Sequence, residues 1–321
     1  MAPRIDPTLP LVWRSPTDVQ LGATSARVVL PHVGALELSL VTALRAGVSV
    51  PTLITMGTGL GATEAQVREL LVTLEPAFER EPDAGPAFGA ARAARRGDAS
   101  ANAEPTVTTA ASTRDRALRV ALDADGVVAR HLTANLEALG YEPIPLHADD
   151  DDNGPPPDLA VVAAAWVVAP SRHLPLLRRD LPHLAIVFDD TGARVGPLVE
   201  PGSGPCLRCL DLARRDADGA WPVIAAQLAG RPAASCTARA ALDVTALAVG
   251  VIDDRLARGE RRLADASLTL ERPGALPRRQ RHEPHPECGC RAPAGIATAP
   301  VRLGARRSHA PSSSRAGAVP A

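Results

Sequence analysis

Four thiols in two tight pairs constrain this chain more than any other feature. Cys206 and Cys209 form a C-x-x-C pair inside VGPLVEPGSGPCLRCLDL, and Cys288 and Cys290 form a C-x-C pair inside HPECGCR. Each pair brings two sulfurs together at little entropic cost. Seventy-eight residues lie between Cys209 and Cys288, so joining the pairs staples a long loop. Thiolates at about 2.3 Å suit Zn²⁺, and a site filled by four protein sulfurs leaves no position for water and is structural. The competing uses are a disulfide, a redox C-x-x-C or unrelated buried thiols. A redox motif needs one pair and leaves Cys288 and Cys290 without a role. Disulfides belong to exported chains. His282 and His285 are near enough in sequence to replace a cysteine, but four sulfurs suffice. The spacing predicts a structural zinc site on Cys206, Cys209, Cys288 and Cys290.

A chain of 321 residues implies about two domains. Aromatic residues make up only 2%, so Ala, Val and Leu must fill the core. All 35 basic residues are Arg, which removes every candidate for a lysine-dependent step. A net charge of −1 supplies no global field toward nucleic acid or an anionic membrane. The opening MAPRIDPTLPLVWRSP lacks the basic-then-apolar pattern of a signal peptide. No apolar run approaches the roughly 18 residues of a membrane span. The expectation is a cytoplasmic protein.

Residues 1–80 read as one small module. Leu9–Trp13 is a first strand, and Asp18–Leu21 and Arg27–Leu30 flank the turn Gly22–Ser25 as a hairpin. Leu36, Leu40, Val41 and Leu44 form a helical stripe that stops near Gly47, and Pro51–Met56 is a shorter helix. Thr63 and Gln66 make a capping-box pattern before Val67, Leu70, Leu71 and Leu74. Strands with three short helices predict a winged-helix-like module. Its third helix carries Glu64, Glu69 and Glu75 against Arg68 alone, a charge that a phosphate backbone repels. Such a module can instead offer a strand edge to an extended peptide. The strand around Val28 and Val29 and the helix face around Val67 and Leu71 would line that groove. A plain scaffolding role is the alternative.

Residues 81–117, rich in Ala, Gly, Pro, Ser and Thr, read as a flexible linker. Residues 118–291 change character. Leu118–Leu122 is a strand that turns through Asp123-Ala124-Asp125-Gly126 into a helix with Val128, Leu132, Leu136 and Leu139 inward, ended by Gly140. Asp149–Pro157 is an acidic, proline-rich loop. Asp158–Ala169 and His183–Phe188 are buried parallel strands, with a short helix at Leu174–Leu181 between them. Ala238–Leu256 is a long helix with Leu242, Thr245, Val249, Ile252 and Leu256 on one face and Val244, Leu247 and Val251 on another. Ser267–Leu270 is a late strand. Residues 292–321 read as a disordered tail.

The segment GPLVEPGSGPCLRCLDL and the late cysteine pair resemble the ThiF-like branch of the ubiquitin-activating superfamily. The run DGAWPVIAAQL at Asp218–Leu228 and the ending HPECGC resemble one subgroup more closely. These are the actinobacterial ThiF-like proteins that act as cyclodehydratase or leader-peptide-binding partners in thiazole/oxazole-modified peptide biosynthesis. There a PqqD-like winged-helix element precedes the ThiF-like domain, and LVWRSPTDVQLG at Leu11–Gly22 resembles its start. The resemblance covers about residues 5–80 and 118–291 and is carried mainly by the cysteines. It implies an α/β, Rossmann-type ThiF-like domain with a zinc tetracysteine staple, preceded by the small winged-helix-like domain. It also implies two partners, the leader segment of a ribosomal precursor peptide and a YcaO-type cyclodehydratase, and is compatible with a homodimer.

The family's adenylation machinery does not carry over. Phosphate binding needs a G-x-G-x-x-G turn so that backbone amides can approach the anion. Here the turn is LDADGVVAR, where Gly126 stands alone and Asp123 and Asp125 put carboxylates in the phosphate position. The phosphate-contacting lysine has no counterpart, and Trp166–Pro170 offers no magnesium-binding carboxylate. Asp189-Asp190 is a substitute at most, and two aspartates ending a strand are ordinarily solvated. Cys236, just before the long helix, is either a thiol that accepts an activated carboxyl group or a small buried residue at the helix entry. With no adenylating site the thioester has no donor, so no nucleotide-binding and no catalytic residue is assigned. The reading is a non-catalytic ThiF-like subunit that presents a precursor peptide to a cyclodehydratase. Its competitors are an active ThiF-like adenylyltransferase, a winged-helix regulator and a Rossmann oxidoreductase.

Overall fold

A computed structural model of the chain describes residues 2–79, 116–146 and 155–291. Most of the expected linker, residues 149–154 of the expected acidic loop and the C-terminal tail lie outside the described residues. The N-terminal module starts with three short strands, β1 (Leu11–Trp13), β2 (Val19–Leu21) and β3 (Val28–Leu30), in an antiparallel sheet ordered β1-β2-β3. Gly22 opens the β2–β3 turn at φ 89°, where a Cβ would sit 2.4 Å from the Ser25 carbonyl, so only glycine fits. Three helices follow, α1 (Ala35–Ala46), α2 (Val50–Gly59) and α3 (Glu64–Leu74). Gly47 ends α1 in the left-handed region, Ser49 caps α2, and Thr63 and Gln66 cap α3 reciprocally. Leu21, Val28, Leu30, Leu40, Leu44, Leu53, Val67 and Leu74 close one apolar core.

The larger part begins with β4 (Arg119–Asp123), α4 (Gly126–Ala138) and β5 (Glu142–Pro145). It continues through β6 (Leu159–Ala165), α5 (Pro170–Arg178), β7 (His183–Asp189) and β8 (Gly192–Val199). Then come α6 (Leu207–Ala217), α7 (Trp221–Leu228), α8 (Ala238–Arg258), β9 (Ala266–Leu270) and β10 (Arg278–Arg281). The strands form one seven-stranded sheet, ordered β10-β9-β8-β7-β6-β4-β5. Pairing is parallel from β5 to β7 and antiparallel from β7 to β10. One face carries the core shared by α4, α7 and α8; the other carries Leu176 of α5 and Leu207 and Leu210 of α6. The chain leaves β4 for β5 on one side and returns to β6 on the other. That reversal places a crevice outside the carboxyl ends of β4 and β6, where open α/β sheets take ligands.

Several expectations need correction. Leu139 is 41% exposed because α4 stops at Ala138 and the chain turns away through Gly140. Leu242 is 47% exposed, since α8 seats its small Ala241 and Ala248 with Val244 and Ile252 against the body. The helix expected at Leu174–Leu181 starts four residues earlier, at Pro170, where a residue without an N–H is free to open a helix. Strands β8 and β10 were not legible; all of β10 is polar and exposed and shows no alternation.

The two parts touch through named side chains. The Trp13 N–H donates to Gln227 Oε1 at 2.9 Å, and Gln227 Nε2 donates to the Trp13 carbonyl at 2.7 Å. The Arg14 guanidinium makes paired bonds to Asp218 at 2.7 and 2.8 Å. Asp190 accepts the Ala23 amide and, at 3.1 Å, the Thr24 amide. A side-chain amide on α7 thus occupies the free edge of β1, and β3 remains the other edge of the small sheet.

Candidate metal centre

Cys206 is the N-cap of α6 and Cys209 lies in its first turn, so the helix presents both sulfurs from one end. Cys288 and Cys290 come from the turn that follows β10. The facing sulfurs are 3.8 Å apart for Cys206–Cys209, 3.6 Å for Cys206–Cys288 and 3.4 Å for Cys209–Cys290. All four ligand atoms lie within 4.8 Å of one another. A tetrahedron with about 2.3 Å metal–sulfur bonds has edges of about 3.8 Å, so the cluster has the size of a tetrathiolate site. The cysteines are free thiols, and the four could hold a metal ion.

The surroundings fix the second pair against the first. His285 donates from Nε2 to Asp216 at 2.7 Å while its Nδ1 accepts the Glu287 amide at 3.1 Å. Arg215 bonds Glu287 at 2.8 Å. Two residues at the end of α6 therefore clamp 285–287. His282 is used elsewhere, 2.8 Å from the Ser267 hydroxyl, so neither histidine substitutes for a cysteine. Burial raises the Cys206 thiol and pushes Cys290 up to about 12. Burial also opposes ionising Cys209, yet hydrogen bonds from the backbone of His285 and Cys206 leave it below its ordinary value. Four crowded thiols do not ionise together unless a cation sits among them, and that is the chemistry a bound metal supplies.

An arginine stands at the carboxyl ends of β4 and β6. Arg172 of α5 donates to the Asp123 carboxylate at 2.7 Å, to the Asp123 carbonyl at 3.1 Å and to the Ala163 carbonyl at 2.7 Å. Its guanidinium ties the two strand ends together. Asp125 is the N-cap of α4 but makes no side-chain capping bond, and Gly126 opens the helix at φ 58°. Asp189 and Asp190 are not solvated, as two aspartates ending a strand would ordinarily be. Asp189 is buried and accepts the Thr191 amide at 2.9 Å and its hydroxyl at 2.5 Å, while Asp190 holds the β2–β3 turn. Cys236 is exposed overall, and desolvation of its thiol raises the pKa rather than lowering it.

Of the residues expected to line a peptide groove, Val28 and Val67 turn into the N-terminal core. Val29 stands on β3 at 43% exposure. Leu71, half-buried, lines a cavity of about 330 Å³ with Val50, Phe78 and Arg4. Alternation along a three-residue strand predicts one inward face, but not which of two adjacent valines takes it. Arg68, the cation of α3, is held by Glu64 at 2.7 Å. Sequence reasoning missed Arg172, because an arginine in a helix gives no local sign that it will reach a neighbouring strand end. No helix among the described residues is long and apolar enough to cross a membrane.

No family model matches the chain, and no curated protein matches it. Among solved structures it is similar to the heterocyclase TruD, at 17% identity and TM-score 0.38, over 89% of this chain and 42% of that one. A heterocyclase in complex with substrate and cofactor gives 14% identity and TM-score 0.41, over 88% and 38%. The chain therefore spans about two fifths of the length of these heterocyclases. E. coli MccB with selenomethionine MccA gives 11% identity and TM-score 0.42, over 91% of this chain and 100% of that one.

Proposed function

We propose that this chain is a zinc-stapled, ThiF-like partner protein that binds the leader segment of a ribosomal precursor peptide and presents it to a YcaO-type cyclodehydratase, with its own adenylation site degenerate. The observation that carries the reading is Arg172 lying across the switch-point crevice. A nucleotide there needs glycine amides and a cation facing its phosphates. This chain instead offers two aspartates, and its nearby cation is already bonded to one of them and to two carbonyls. Recognition then falls to the N-terminal module. Gln227 closes the β1 edge, so an added strand would pair along β3, where backbone bonds give affinity and side chains beside Val29 choose the sequence. Zn²⁺ on Cys206, Cys209, Cys288 and Cys290 would hold the end of the α/β part as scaffold. Tethering the peptide beside the enzyme raises its effective concentration without new active-site contacts.

The test is fluorescence anisotropy of labelled leader peptides, encoded by short neighbouring genes, against the full metal-loaded chain. Saturable binding at micromolar or tighter concentration, weakened at least tenfold by Val29→Pro, is the expected result. ATP–pyrophosphate exchange measured on the same protein should be absent. Exchange that disappears on Asp125→Asn overturns the non-catalytic reading, and a folded, metal-loaded chain that binds none of the peptides overturns the recognition reading.

A further inference from the structure

The seven-stranded sheet ends in two edges of opposite character. At one end, the Glu142 and Leu146 amides donate to the Leu118 and Leu122 carbonyls of the neighbouring strand, each at 2.9 Å. Successive residues of a strand turn their backbone groups to opposite sides, so Pro143 and Pro145 of β5 hold the outward positions. Proline has no N–H, and this edge offers no backbone donor at either place. At the other end, β10 pairs with β9 alone among the described residues. The His282 amide donates to the Asp265 carbonyl at 2.7 Å, and hydrogen-bonded pairs alternate along an antiparallel ladder. In the observed register the bonded pairs are therefore Gln280 with Ser267 and Arg278 with Thr269, while Arg279 and Arg281 turn their N–H and C=O outward. All four residues of β10 are exposed and none is proline.

The charge along this edge has one sign. Arg278 lies 3.6 Å from Glu271 and Arg279 lies 3.3 Å from Asp265, both between exposed side chains, where ion pairs contribute little. Arg281 has no hydrogen bond or ion pair from its side chain among the described residues. Charge on a short edge strand guards a sheet against copies of itself. The register shows how: both outward residues are arginines, so any antiparallel pairing of two β10 strands through this edge sets arginine opposite arginine, which is unfavourable. A strand of opposite charge meets no such penalty and finds the backbone donors and acceptors in place. We propose that β10 is a docking edge for an extended acidic segment of another protein, of the pattern acidic-x-acidic, which adds as one more strand to the seven-stranded sheet. The segment pairs its backbone with Arg279 and Arg281 and sets its two carboxylates opposite their side chains, where opposite charges stabilise a strand pair. The edge shares no residue with β3 or the cysteine cluster, so it does not rest on the leader-peptide reading.

The probe is a fluorescein-labelled decapeptide of alternating glutamate and threonine, titrated by anisotropy with the full, metal-loaded chain at low salt. Saturable binding in the micromolar to sub-millimolar range is the expected result. Three comparison ligands isolate its cause: a lysine–threonine decapeptide, an oligothymidylate of the same charge, and the acidic peptide N-methylated at each glutamate. N-methylation keeps the charge but removes the donors that reach the Arg279 and Arg281 carbonyls, and it should weaken binding about tenfold. Arg281→Gln, at an exposed position, should weaken it about threefold. Arg281→Pro also removes an outward N–H, leaves the bonds to β9 in place and should weaken it about tenfold. Val29→Pro, on the other sheet, should leave it unchanged. The proposal is overturned by absence of binding at millimolar concentration, by any comparison ligand binding as tightly as the acidic peptide, or by loss of binding in Val29→Pro. It is equally overturned if folded Arg281→Pro keeps full affinity; where that variant does not fold, Arg281→Gln and the N-methylated peptide decide the outcome.

Discussion

Removing one sulfur from the cysteine cluster should release the end of the α/β part from α6, and the size of the effect follows from the chain between them. Cys209 and Cys288 enclose 78 residues. Cross-linking a loop of that length lowers the entropy of the unfolded chain by an amount worth roughly 4 to 5 kcal/mol at 25 °C. The remaining ties across the same junction are weaker. The Arg215–Glu287 pair lies between half-exposed and exposed side chains and contributes about 0–1 kcal/mol, and the bond from the buried His285 imidazole to the half-exposed Asp216 contributes about 1.5–3 kcal/mol. For a body of this size the loss corresponds to roughly 10 °C in the midpoint of thermal unfolding. The perturbation is Cys288→Ala, compared by calorimetry with the metal-loaded and chelator-stripped wild type and with Cys236→Ala. Cys236 is exposed and outside the cluster, so its substitution should leave metal content and midpoint unchanged. Elemental analysis should find one zinc in the wild type and none in Cys288→Ala. Less than stoichiometric metal with all thiols reduced, or a midpoint that moves by less than about 2 °C on stripping, would refute the staple.

Acid should weaken the fold through His173 and His183, both buried and both lowered by that burial to about 4 from an unfolded value near 6.5. The folded state excludes protons that the unfolded state accepts, so this stability is complete above about pH 6.5 and is lost as pH falls toward 4. At pH 5 each contributes a loss of roughly 2 kcal/mol, so the urea midpoint should drop between pH 7.5 and 5, and His183→Leu should flatten that slope. An unchanged slope would sink the assignment. Gly57→Ala should destabilise the N-terminal module by about 1–3 kcal/mol despite alanine's better helix propensity. The added Cβ would lie 2.3 Å from Val67 Cγ2. The double variant with Val67→Ala should recover most of the loss in a denaturation cycle, and a Gly57→Ala protein more stable than wild type would refute the packing.

What the sequence disclosed and what it hid divide along physical lines. The first and third helices of the N-terminal module were legible because their ends are written locally: Gly47 for a left-handed stop, Thr63 with Gln66 for a cap, and apolar stripes beside them. The parallel strands β6 and β7 were legible as apolar runs with both faces covered. The four cysteines disclosed their own meeting, because a metal site restricts residue type and spacing together. Other features depend on tertiary partners. Strand β8 carries Arg194 and glycines among its apolar residues, and β10 is Arg278-Arg279-Gln280-Arg281, which reads as a loop until β9 pairs with it. Asp190 looked like a solvated strand end and is instead the acceptor for the β2–β3 turn, a contact across 166 and 167 residues that no local pattern encodes.

The same distinction bears on function. That the β4–α4 turn carries a single glycine, Gly126, is visible in the sequence, but this alone leaves open whether another ligand could enter there. Arg172 changes that argument. Its Nε and Nη2 are engaged with Asp123 and Ala163, so the nearby cation is already largely neutralised, and the Asp123 carboxylate beside it disfavours an anion at the strand ends.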